Sequence, residues 1–571
     1  MSKELYSQVV GPLNKGLNQQ ADSFVLPGFA KNLENANCDL VEGLKKRLGS
    51  VPLKEIDTLT KYDGHGTPGN NLSGTIKWDE AWYFIYNRSS DERFLLIIGD
   101  DSSTVVKTVS HTDGSAVLEI TSGGLTDLFE GAGVNGSNIP TGSTIVNIDT
   151  ANSKITISKK CTTTDAGVAL TVQAPKTFVS GVANLEPISD VLPEVVPIQQ
   201  VFANITTANL EYFRGSGKAR DRFRATSFQD YVFVTNVQKV TEFDSSEALE
   251  RYNVTEISNE YRPTMGIVVV DIADYSCKYD VVVKFDNGTE IDGTYTTPTL
   301  ASGTAISTGN ITNELQTNLL ADSNASGNIT VNALGGGFLK INVVATGRYI
   351  SSFTVSDARG NTLMTSFTNQ VTSASQLPKN GWHGYSVLLA PDGSTDKSSY
   401  YLKFNAESSN TNGTFDRGSW EEQGAWGTKG KIDKATMPHS FVYFKDDDGI
   451  ATFTVKPFDG TTYTNGSTVS IALPKWTERL AGDAEKMPSP SFMGKKITDV
   501  IFFKNRLGFV SGENIILSEA GDYYNFWVQS AIRVVDTDPI DLTAVSNDVT
   551  VLNWALQQQD ELVLFSNENQ F

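Results

Sequence analysis

The sequence predicts a mainly β protein, in which an antiparallel, discontinuous, propeller-like body carries inserted β-sandwich-type domains and few helices. Two observations predict this class. Apolar and polar residues alternate with a period of two over many short runs, which is the pattern of half-buried strands. The runs are separated by Asp-Gly, Asn-Gly and Gly-Gly pairs, which supply the positive φ angles that tight antiparallel hairpins need.

Eight runs show the alternation most clearly, and an echo along the chain favours the propeller-like body. The runs are 82–87, 93–99, 230–236, 265–272, 279–285, 338–345, 399–405 and 561–567. An acidic residue, alternating apolar residues and a polar turn recur at 91–100, 229–238, 497–506 and 559–568. Blade strands of a propeller would give such a repeat. A sandwich of short strands also contains many hairpins, so both architectures stay open.

One helix is predicted in the second half of the chain. Ile311, Leu315 and Leu319 recur at a spacing of four and form one apolar face. Asn310 is the expected N-cap, and Glu314 is expected in the first turn. We expect this helix to cover one sheet.

Shifts in composition divide the chain into five segments. Residues 101–175 are rich in Thr, Ser, Gly and Val, poor in aromatic residues and alternating, which predicts an inserted β-sandwich-like module. Residues 268–375 form a second β-rich domain that holds the helix. The propeller-like body is then expected to comprise residues 1–100, their continuation at 176–267 and a later part at 376–571.

Charge and cysteine content exclude several classes of protein. The 66 acidic residues outnumber the 46 basic residues, and the formal net charge of −20 disfavours tight binding of nucleic acid phosphates. Cys38, Cys161 and Cys277 are odd in number and far apart, so they indicate neither a disulfide framework nor a zinc site. The N-terminal stretch lacks the apolar core of a signal peptide, and no run reaches the roughly 18 apolar residues of a membrane span. We expect synthesis in a reducing cytoplasm without membrane insertion.

Motifs for cofactors and metals are weak. GHGTPG at 64–69 has the letters of a dinucleotide fingerprint, but Pro68 interrupts it and no strand leads into it. GSGK at 215–218 lacks the upstream glycine of a phosphate loop. Both are interpreted as turns or loops. The four histidines, which are isolated from one another, are His65, His111, His383 and His439. The sequence therefore predicts no catalytic residue, no cofactor site and no metal site.

Carboxylates leave a glycan hydrolase as an alternative, since that chemistry needs only two of them. Asp446, Asp447 and Asp448 lie where a hairpin turn is expected and lack the spacing of a calcium loop. Glu421 and Glu422 are adjacent, so on a strand they would point to opposite faces.

One basic segment stands against the acidic background. In FRGSGKARDRFRA, four cations alternate, and an extended chain would place them on one face: Lys218, Arg220, Arg222 and Arg224. They are candidates for a contact with a neighbouring subunit or with DNA. The alternative is a solvated strand or loop paired with local acids such as Asp221. The net charge disfavours the DNA contact.

Several segments in the same order resemble the tail nozzle proteins, also called tail tubular protein B, of short-tailed bacteriophages. The segments are 16–20, 42–47, 223–236, 268–283, 418–422, 436–439, 476–483, 488–527 and 536–571. The family motif residues that they carry are Gln19, Gln20, Lys46, Arg47, Asn505, Arg506, Asp538 and Pro539. The resemblance implies structural roles for these residues.

The resemblance also implies a function without enzymatic activity. A nozzle protein is expected in the virion, as a homohexameric ring below the ring of the tail adaptor, tail tubular protein A. Tail fibres dock near this junction, and double-stranded DNA passes through without specific binding. Synthesis in the host bacterial cytoplasm would precede assembly. The alternatives are a receptor- or glycan-binding tail adhesin and a glycan hydrolase.

Two departures from the family pattern accompany the resemblance. The insert at 101–175 is not part of the usual pattern, so its role is open. Nozzle proteins continue with further β segments beyond the position of Phe571, and we expect the segment 376–571 to be incomplete at its C-terminal end.

The stretch from Ser491 to Trp527 is interpreted as scaffold. Asn505 and Arg506 are expected to fix a turn, with the arginine donating to turn carbonyls. The apolar residues flanking this turn are expected to form one odd-numbered set: Ile501, Phe503, Leu507 and Phe509. The aromatic residues that follow are expected to pack internally and not to form a carbohydrate platform: Tyr523, Tyr524, Phe526 and Trp527.

Overall fold

The computed structural model describes residues 29, 36–39, 43–46, 61, 74–89, 92–183, 207–244, 252–391, 399–445, 451–465, 469–545, 550–558 and 560–571. The chain divides into one compact unit of residues 1–59 and 184–198 and another of residues 60–183 and 199–571. In the first unit, β1 (Ala36–Asp39) and β2 (Gly43–Lys46) pair as an antiparallel hairpin.

The second unit begins with a sheet that is interrupted by an insert. Its first strands are β3 (Trp82–Asn87) and β4 (Arg93–Asp100). The insert holds β5 (Thr104–His111), β6 (Val117–Ser122), β7 (Gly133–Gly136), β8 (Ser143–Asp149), β9 (Lys154–Ile157) and β10 (Asp165–Gln173). The chain then returns through β11 (Thr177–Ala183), which pairs with β4. The insert therefore leaves and re-enters the body at two neighbouring strands.

The insert is a closed ring of six strands and not the predicted sandwich. The hydrogen-bonded order is β10-β5-β6-β9-β8-β7, and β7 pairs back onto β10. Inward side chains of the alternating strands fill its core, among them Val109, Leu118, Ile155 and Leu170. Closure leaves no sheet edge unpaired, which removes the need for a second sheet to cover the first.

After the insert, the chain forms two short helices, one longer helix and a series of strands. The elements are α1 (Thr207–Leu210), α2 (Ala219–Arg222), β12 (Phe223–Phe228) and β13 (Tyr231–Asn236). Next come β14 (Val254–Ile257), β15 (Glu260–Pro263), β16 (Met265–Val270), β17 (Lys278–Phe285) and β18 (Glu290–Thr296). They are followed by α3 (Thr308–Ala321), β19 (Ile329–Leu334), β20 (Phe338–Val343), β21 (Ile350–Asp357) and β22 (Met364–Phe367).

The remaining strands complete the body. They are β23 (Gln370–Val371), β24 (Asn380–Trp382), β25 (Ser386–Leu389), β26 (Tyr400–Ala406), β27 (Phe415–Gln423), β28 (His439–Lys445) and β29 (Ala451–Lys456). The last are β30 (Thr462–Asn465), β31 (Val469–Ala472), β32 (Asp499–Phe503), β33 (Arg506–Ser511), β34 (Asn514–Leu517), β35 (Ile540–Thr543), β36 (Leu552–Gln558) and β37 (Glu561–Ser566).

The mainly β, antiparallel class is confirmed, and the eight predicted runs are all strands. The sheets join segments that are distant in sequence, since β13 pairs with β28 in the order β12-β13-β28-β29. The other large sheets are β19-β20-β16-β22, β23-β25-β26-β27-β24 and β32-β33-β34-β35. They have not been shown to form a propeller, which stays a prediction. The predicted segment boundaries also stay proposals, and the one at 267 falls within β16.

The predicted helix exists, but its start and its contacts differ from the prediction. Ser307 is the N-cap, and its side chain accepts a hydrogen bond from the backbone N–H of Asn310. The helix therefore starts a turn earlier, and Glu314 lies beyond its first turn. Ile311 and Leu315 are buried between β18 and β19, which belong to two different sheets. The helix thus packs against two sheets instead of covering one.

Glycine supplies the hairpin geometry where the sequence predicted it. Gly114, between β5 and β6, has a φ of 72°, and Gly288, between β17 and β18, has a φ of 85°. Side chains with a Cβ rarely adopt such angles, so Asp-Gly and Asn-Gly pairs fix these turns.

Candidate functional site

The basic segment is not an extended face of four cations. Residues 219–222 form a helical turn, in which successive side chains are rotated by about 100°. Lys218 and Arg220 remain exposed, Arg224 is half-buried, and Arg222 is buried. The predicted alternation is therefore wrong, because the extended backbone begins only at Phe223.

Arg222 is neutralised by the last residue of β4. Its Nη1 lies 2.7 Å from Asp100 Oδ2, and 1% and 9% of the two side chains are exposed. The same guanidinium donates to the carbonyls of Gly215 and Gly217, each at 3.2 Å, and to that of Phe213 at 3.4 Å. Burying a charge costs much less free energy when the charge is paired and hydrogen-bonded, and Arg222 is both.

Two carboxylates, those of Asp100 and Asp101, connect the chain segment that enters the insert to the segment that leaves it. Asp100 Oδ1 accepts a hydrogen bond from the Thr177 hydroxyl at 2.9 Å. Asp101 Oδ1 accepts from the backbone N–H of Ser103 at 2.9 Å and from that of Lys176 at 2.8 Å. We call Asp100, Asp101, Thr177 and Arg222 the insert anchor, because they join the base of the ring to the body.

The GSGK stretch is the loop that wraps Arg222, which agrees with its interpretation as a loop. A Cβ on Gly215 would lie 2.4 Å from Gln238 Oε1 and 2.9 Å from Arg222 Cδ, and Gly217 has a φ of 74°. The Gln238 side chain bonds the N–H and the carbonyl of Ser216 at 3.0 and 2.9 Å. The glycines therefore serve the close approach of backbone to a buried guanidinium.

The second cluster is built on Arg506, the first residue of β33. Its Nη1 donates to the carbonyls of Ser518 at 2.6 Å, Asp538 at 2.7 Å and Thr537 at 3.2 Å, and its Nη2 donates to that of Asp536 at 2.9 Å. Only 7% of the residue is exposed. We call Arg506 and these four carbonyls the carbonyl clamp. It ties β33 to the segments that precede β35.

The structure brings four of the predicted motif residues together at this clamp. Asn505 and Lys504 have φ angles of 61° and 44° and form the two-residue turn between β32 and β33. Asp538 is buried, and its Oδ2 accepts from the N–H of Val535 at 2.9 Å, which shapes the loop before Pro539. The turn is as predicted, but the Arg506 donors reach the carbonyls of other segments and not those of the turn.

The predicted odd-numbered apolar set does not share one face. The two-residue turn pairs Val500 with Phe509 and Phe502 with Leu507, so even positions before the turn oppose odd positions after it. Leu507 and Phe509 pack in one core with Val500, whereas Ile501 and Phe503 pack in another. The prediction is wrong because of the two-residue turn. Residues on one face of the hairpin have even numbers before the turn and odd numbers after it.

The aromatic residues after β34 pack internally, as predicted. Phe526 and Trp527 are buried in a core with Phe509, and Tyr523 and Tyr524 pack against it. A third buried arginine, Arg479, was not predicted from the sequence. Its Nη1 donates to the Met487 carbonyl at 2.6 Å, and its guanidinium lies 4.5 Å from the Trp527 ring centroid. The signal that was available is weak: Arg479 lies three residues after Trp476 in a stretch that also carries other charges.

The alternative catalytic groups do not converge. Glu421 bonds the Asn405 and Ser419 side chains, while Glu422 bonds Ser530 and the N–H of Ala531, so the two carboxylates face opposite sides as predicted. Several predicted positions lie outside the described residues: Asp446, Asp447, Asp448, His65, the segment 64–69 interpreted as a turn from the sequence, Gln19, Gln20 and Arg47. Lys46 ends β2 and is exposed.

Among the residues that the structure describes, no three His, Cys, Asp or Glu side chains are placed to hold a metal ion together. Cys161 and Cys277 are buried free thiols. No helix in the described ranges combines the length and the apolar character that crossing a membrane requires.

The fold is rich in β structure, and buried arginines join segments that are distant in sequence. Residues 194–571, about two thirds of the chain, match the family of bacteriophage nozzle proteins, and the chain belongs to that family. It is therefore a structural protein of a phage tail. This assignment confirms the resemblance found in the sequence.

A curated relative agrees with the family match. The chain is 35% identical over 242 residues to "Tail tubular protein gp12" of Escherichia phage T7. The match covers 42% of this chain and 27% of the T7 protein, so the chain spans about a quarter of the length of that relative.

Proposed function

We propose that this chain is a subunit of a tail nozzle, a homohexameric ring that extends the portal and adaptor channel and conducts double-stranded DNA during ejection. The match of residues 194–571 to the nozzle family carries this proposal. The name of the T7 relative, a tail tubular protein, supports it. The partners are the tail adaptor ring, the tail fibres and DNA that passes without specific binding.

The buried arginines suit a wall that bears load. The insert anchor and the carbonyl clamp each join segments that are far apart in sequence through charge-assisted hydrogen bonds. Such bonds are shorter and stronger than neutral ones. A subunit fastened in this way resists local opening when DNA is driven past it.

The net charge of −20 suits a channel that releases DNA. Lysine and arginine contacts to phosphates give DNA-binding proteins most of their non-specific affinity, and an acidic lining has the opposite effect. In the proposal, part of the acidic surface faces the lumen. Lysine substitutions of lumen-facing carboxylates would then slow genome release.

Immunogold electron microscopy of intact virions tests the proposed location. The antibody is raised against the whole chain, and antibody preabsorbed with the purified chain is the control. We expect gold only at the distal tail stub. Gold on the fibres, or a particle without gold, contradicts the nozzle and favours the adhesin or enzyme alternatives.

The exposed cations at the edge of the insert anchor are the proposed contact with a neighbouring subunit. Lys218 Nζ lies 3.9 Å from Glu80 Oε1, and this partly exposed pair contributes little to stability. We expect Lys218→Glu to reduce the yield of the homohexameric ring, which native mass spectrometry measures. Lys284→Glu is the matched control, since Lys284 is similarly exposed and its Nζ lies 4.0 Å from Glu290 Oε2. Equal ring yields for both variants would contradict the contact.

A further inference from the structure

The ring insert carries a cleft that the nozzle function does not use. It has a volume of about 550 Å³ and is lined by residues of β5, β6, β9, β10 and the turns beside them. Clefts of roughly 300–1,000 Å³ hold small ligands. The family match begins at residue 194, so the cleft lies outside the part of the chain that the family describes.

Strand register places three polar side chains in one row of this cleft. Ser110 on β5 is paired directly with Glu119 on β6, and Glu119 is paired directly with Lys154 on β9. Directly paired residues point to the same side of a sheet. The neighbours Val109, Leu118 and Ile155 are buried in the ring core, so the row of three faces outward into the cleft.

A fourth polar group closes the end of the cleft. Asp165 Oδ2 accepts hydrogen bonds from the Asn138 amide at 2.6 Å and from the Thr163 hydroxyl at 3.0 Å. These two bonds lower the pKa of Asp165 below its ordinary value. His111 lies behind it, with Nε2 buried, without a hydrogen-bond partner and 3.9 Å from Asp165 Oδ2.

The lining combines acceptors, donors and a small apolar surface. Glu119 and Asp165 accept hydrogen bonds, Lys154 donates them, and Ser110 does both. Val117, which is 42% exposed, lies two residues before Glu119 on the same side of β6. Phosphate would meet two carboxylates, and a metal ion would need converging oxygen ligands that the described residues do not offer here. Sugar hydroxyls both donate and accept, and a sugar ring also has an apolar C–H face.

We propose that the cleft of the ring insert binds a hexopyranose unit of a glycan, with Glu119, Asp165 and Lys154 bonding its hydroxyl groups and Val117 contacting its C–H face. The tail subunit would then carry a glycan-binding module in addition to its channel wall.

Saturation-transfer difference NMR of the full chain tests the proposal. The probes are methyl α-glucoside, methyl α-galactoside, methyl α-mannoside and N-acetylglucosamine, each titrated to tens of millimolar. We expect at least one probe to bind with a Kd on the order of 1 mM, which is the weak end of specific affinity. Glu119→Gln and Lys154→Met should each raise that Kd by about tenfold or more.

Glu130 and Lys160 belong to the same insert and provide matched controls, because both are exposed and neither lines the cleft. Glu130→Gln and Lys160→Met should leave the Kd unchanged, and thermal unfolding shows whether each variant is folded. The absence of transfer from all four probes overturns the proposal. Binding that persists unchanged in folded Glu119→Gln and Lys154→Met overturns it as well. Neither result bears on the location of the chain in the virion.

Discussion

Arg222 and Arg506 are both buried arginines, yet the insert anchor and the carbonyl clamp neutralise them in different ways. Arg222 faces the buried carboxylate of Asp100 at 2.7 Å. Arg506 has no acidic side chain within ion-pair distance among the described residues, and it is held by four backbone carbonyls. The insert anchor is an ion pair, whereas in the carbonyl clamp the cation contacts only neutral backbone carbonyls among the described residues.

The difference determines what remains when the cation is removed. At the anchor, a formal negative charge would be left in an interior of low polarity. At the clamp, only neutral carbonyls would lose their donor. A buried charge without a partner costs more free energy than a buried carbonyl without a donor. Substitution of the two arginines should therefore reduce stability by different amounts, although both are buried.

The largest effect is expected at the anchor. Arg222→Met leaves Asp100 buried without its partner, and we expect a loss of about 3–5 kcal/mol in the free energy of unfolding. Urea denaturation followed by tryptophan fluorescence measures it, because Trp82 lies in the core beside this region. Arg220→Met is the matched control, and its exposed side chain should change stability by less than about 0.5 kcal/mol.

A double variant isolates the ion pair from the packing. Arg222→Met with Asp100→Asn removes both charges, and we expect it to be more stable than Arg222→Met alone. The two single effects are then non-additive, as they are for residues in direct contact. Additive losses would mean that Arg222 acts through its volume and not through its charge.

A smaller effect is expected at the clamp. Arg506→Met leaves four carbonyls without their donor, and we expect a loss of about 2–3 kcal/mol. Arg506→Lys should recover only part of it, because an ammonium lacks the planar fork that reaches several acceptors at once. Fluorescence of the variant follows Trp527 and Trp476, which lie in the adjacent core. Exposed Arg533→Met is the control, and a loss as large as that of Arg222→Met would remove the distinction between the two sites.

The strands were predictable because period-two patterning acts locally. Every predicted run became a strand, since its apolar residues have a single face to bury. Ring closure was not predictable, because it rests on the pairing of Val134 with Val172 and of Gly136 with Leu170, between strands far apart in the insert. The composition of the insert is the same for a sandwich and for a ring.

Several residues of the candidate sites could be predicted from the sequence, but their contacts could not. Asn505, Arg506, Asp538 and Pro539 were singled out, but the sequence did not show that Arg506 reaches the carbonyls before Pro539. Arg222 was assigned to an exposed face, since its partner Asp100 lies far earlier in the chain. Long-range partners decide which cations are buried, and a local pattern does not contain them.

The smallest effect concerns pH and again separates the two regions. His439 stacks on Tyr212 near the anchor, with ring centroids 4.2 Å apart, and burial lowers the pKa of His439 to about 4. An unfolded histidine titrates near pH 6.5, so between these values the unfolded state binds more protons than the folded state. Stability is therefore complete above about pH 6.5 and falls as the pH drops towards 4, with an expected loss of about 2 kcal/mol between pH 7 and pH 5.

Urea denaturation of the wild type and of His439→Gln at both pH values measures this contribution. The variant should lose about 2 kcal/mol less than the wild type over that interval, because glutamine does not titrate. In Arg506→Met the pH effect of His439 should persist in full, since the clamp lies in another core and distant sites act additively. Equal losses in the wild type and in His439→Gln would assign the acid sensitivity to carboxylates elsewhere, and the anchor region would then have no pH response of its own.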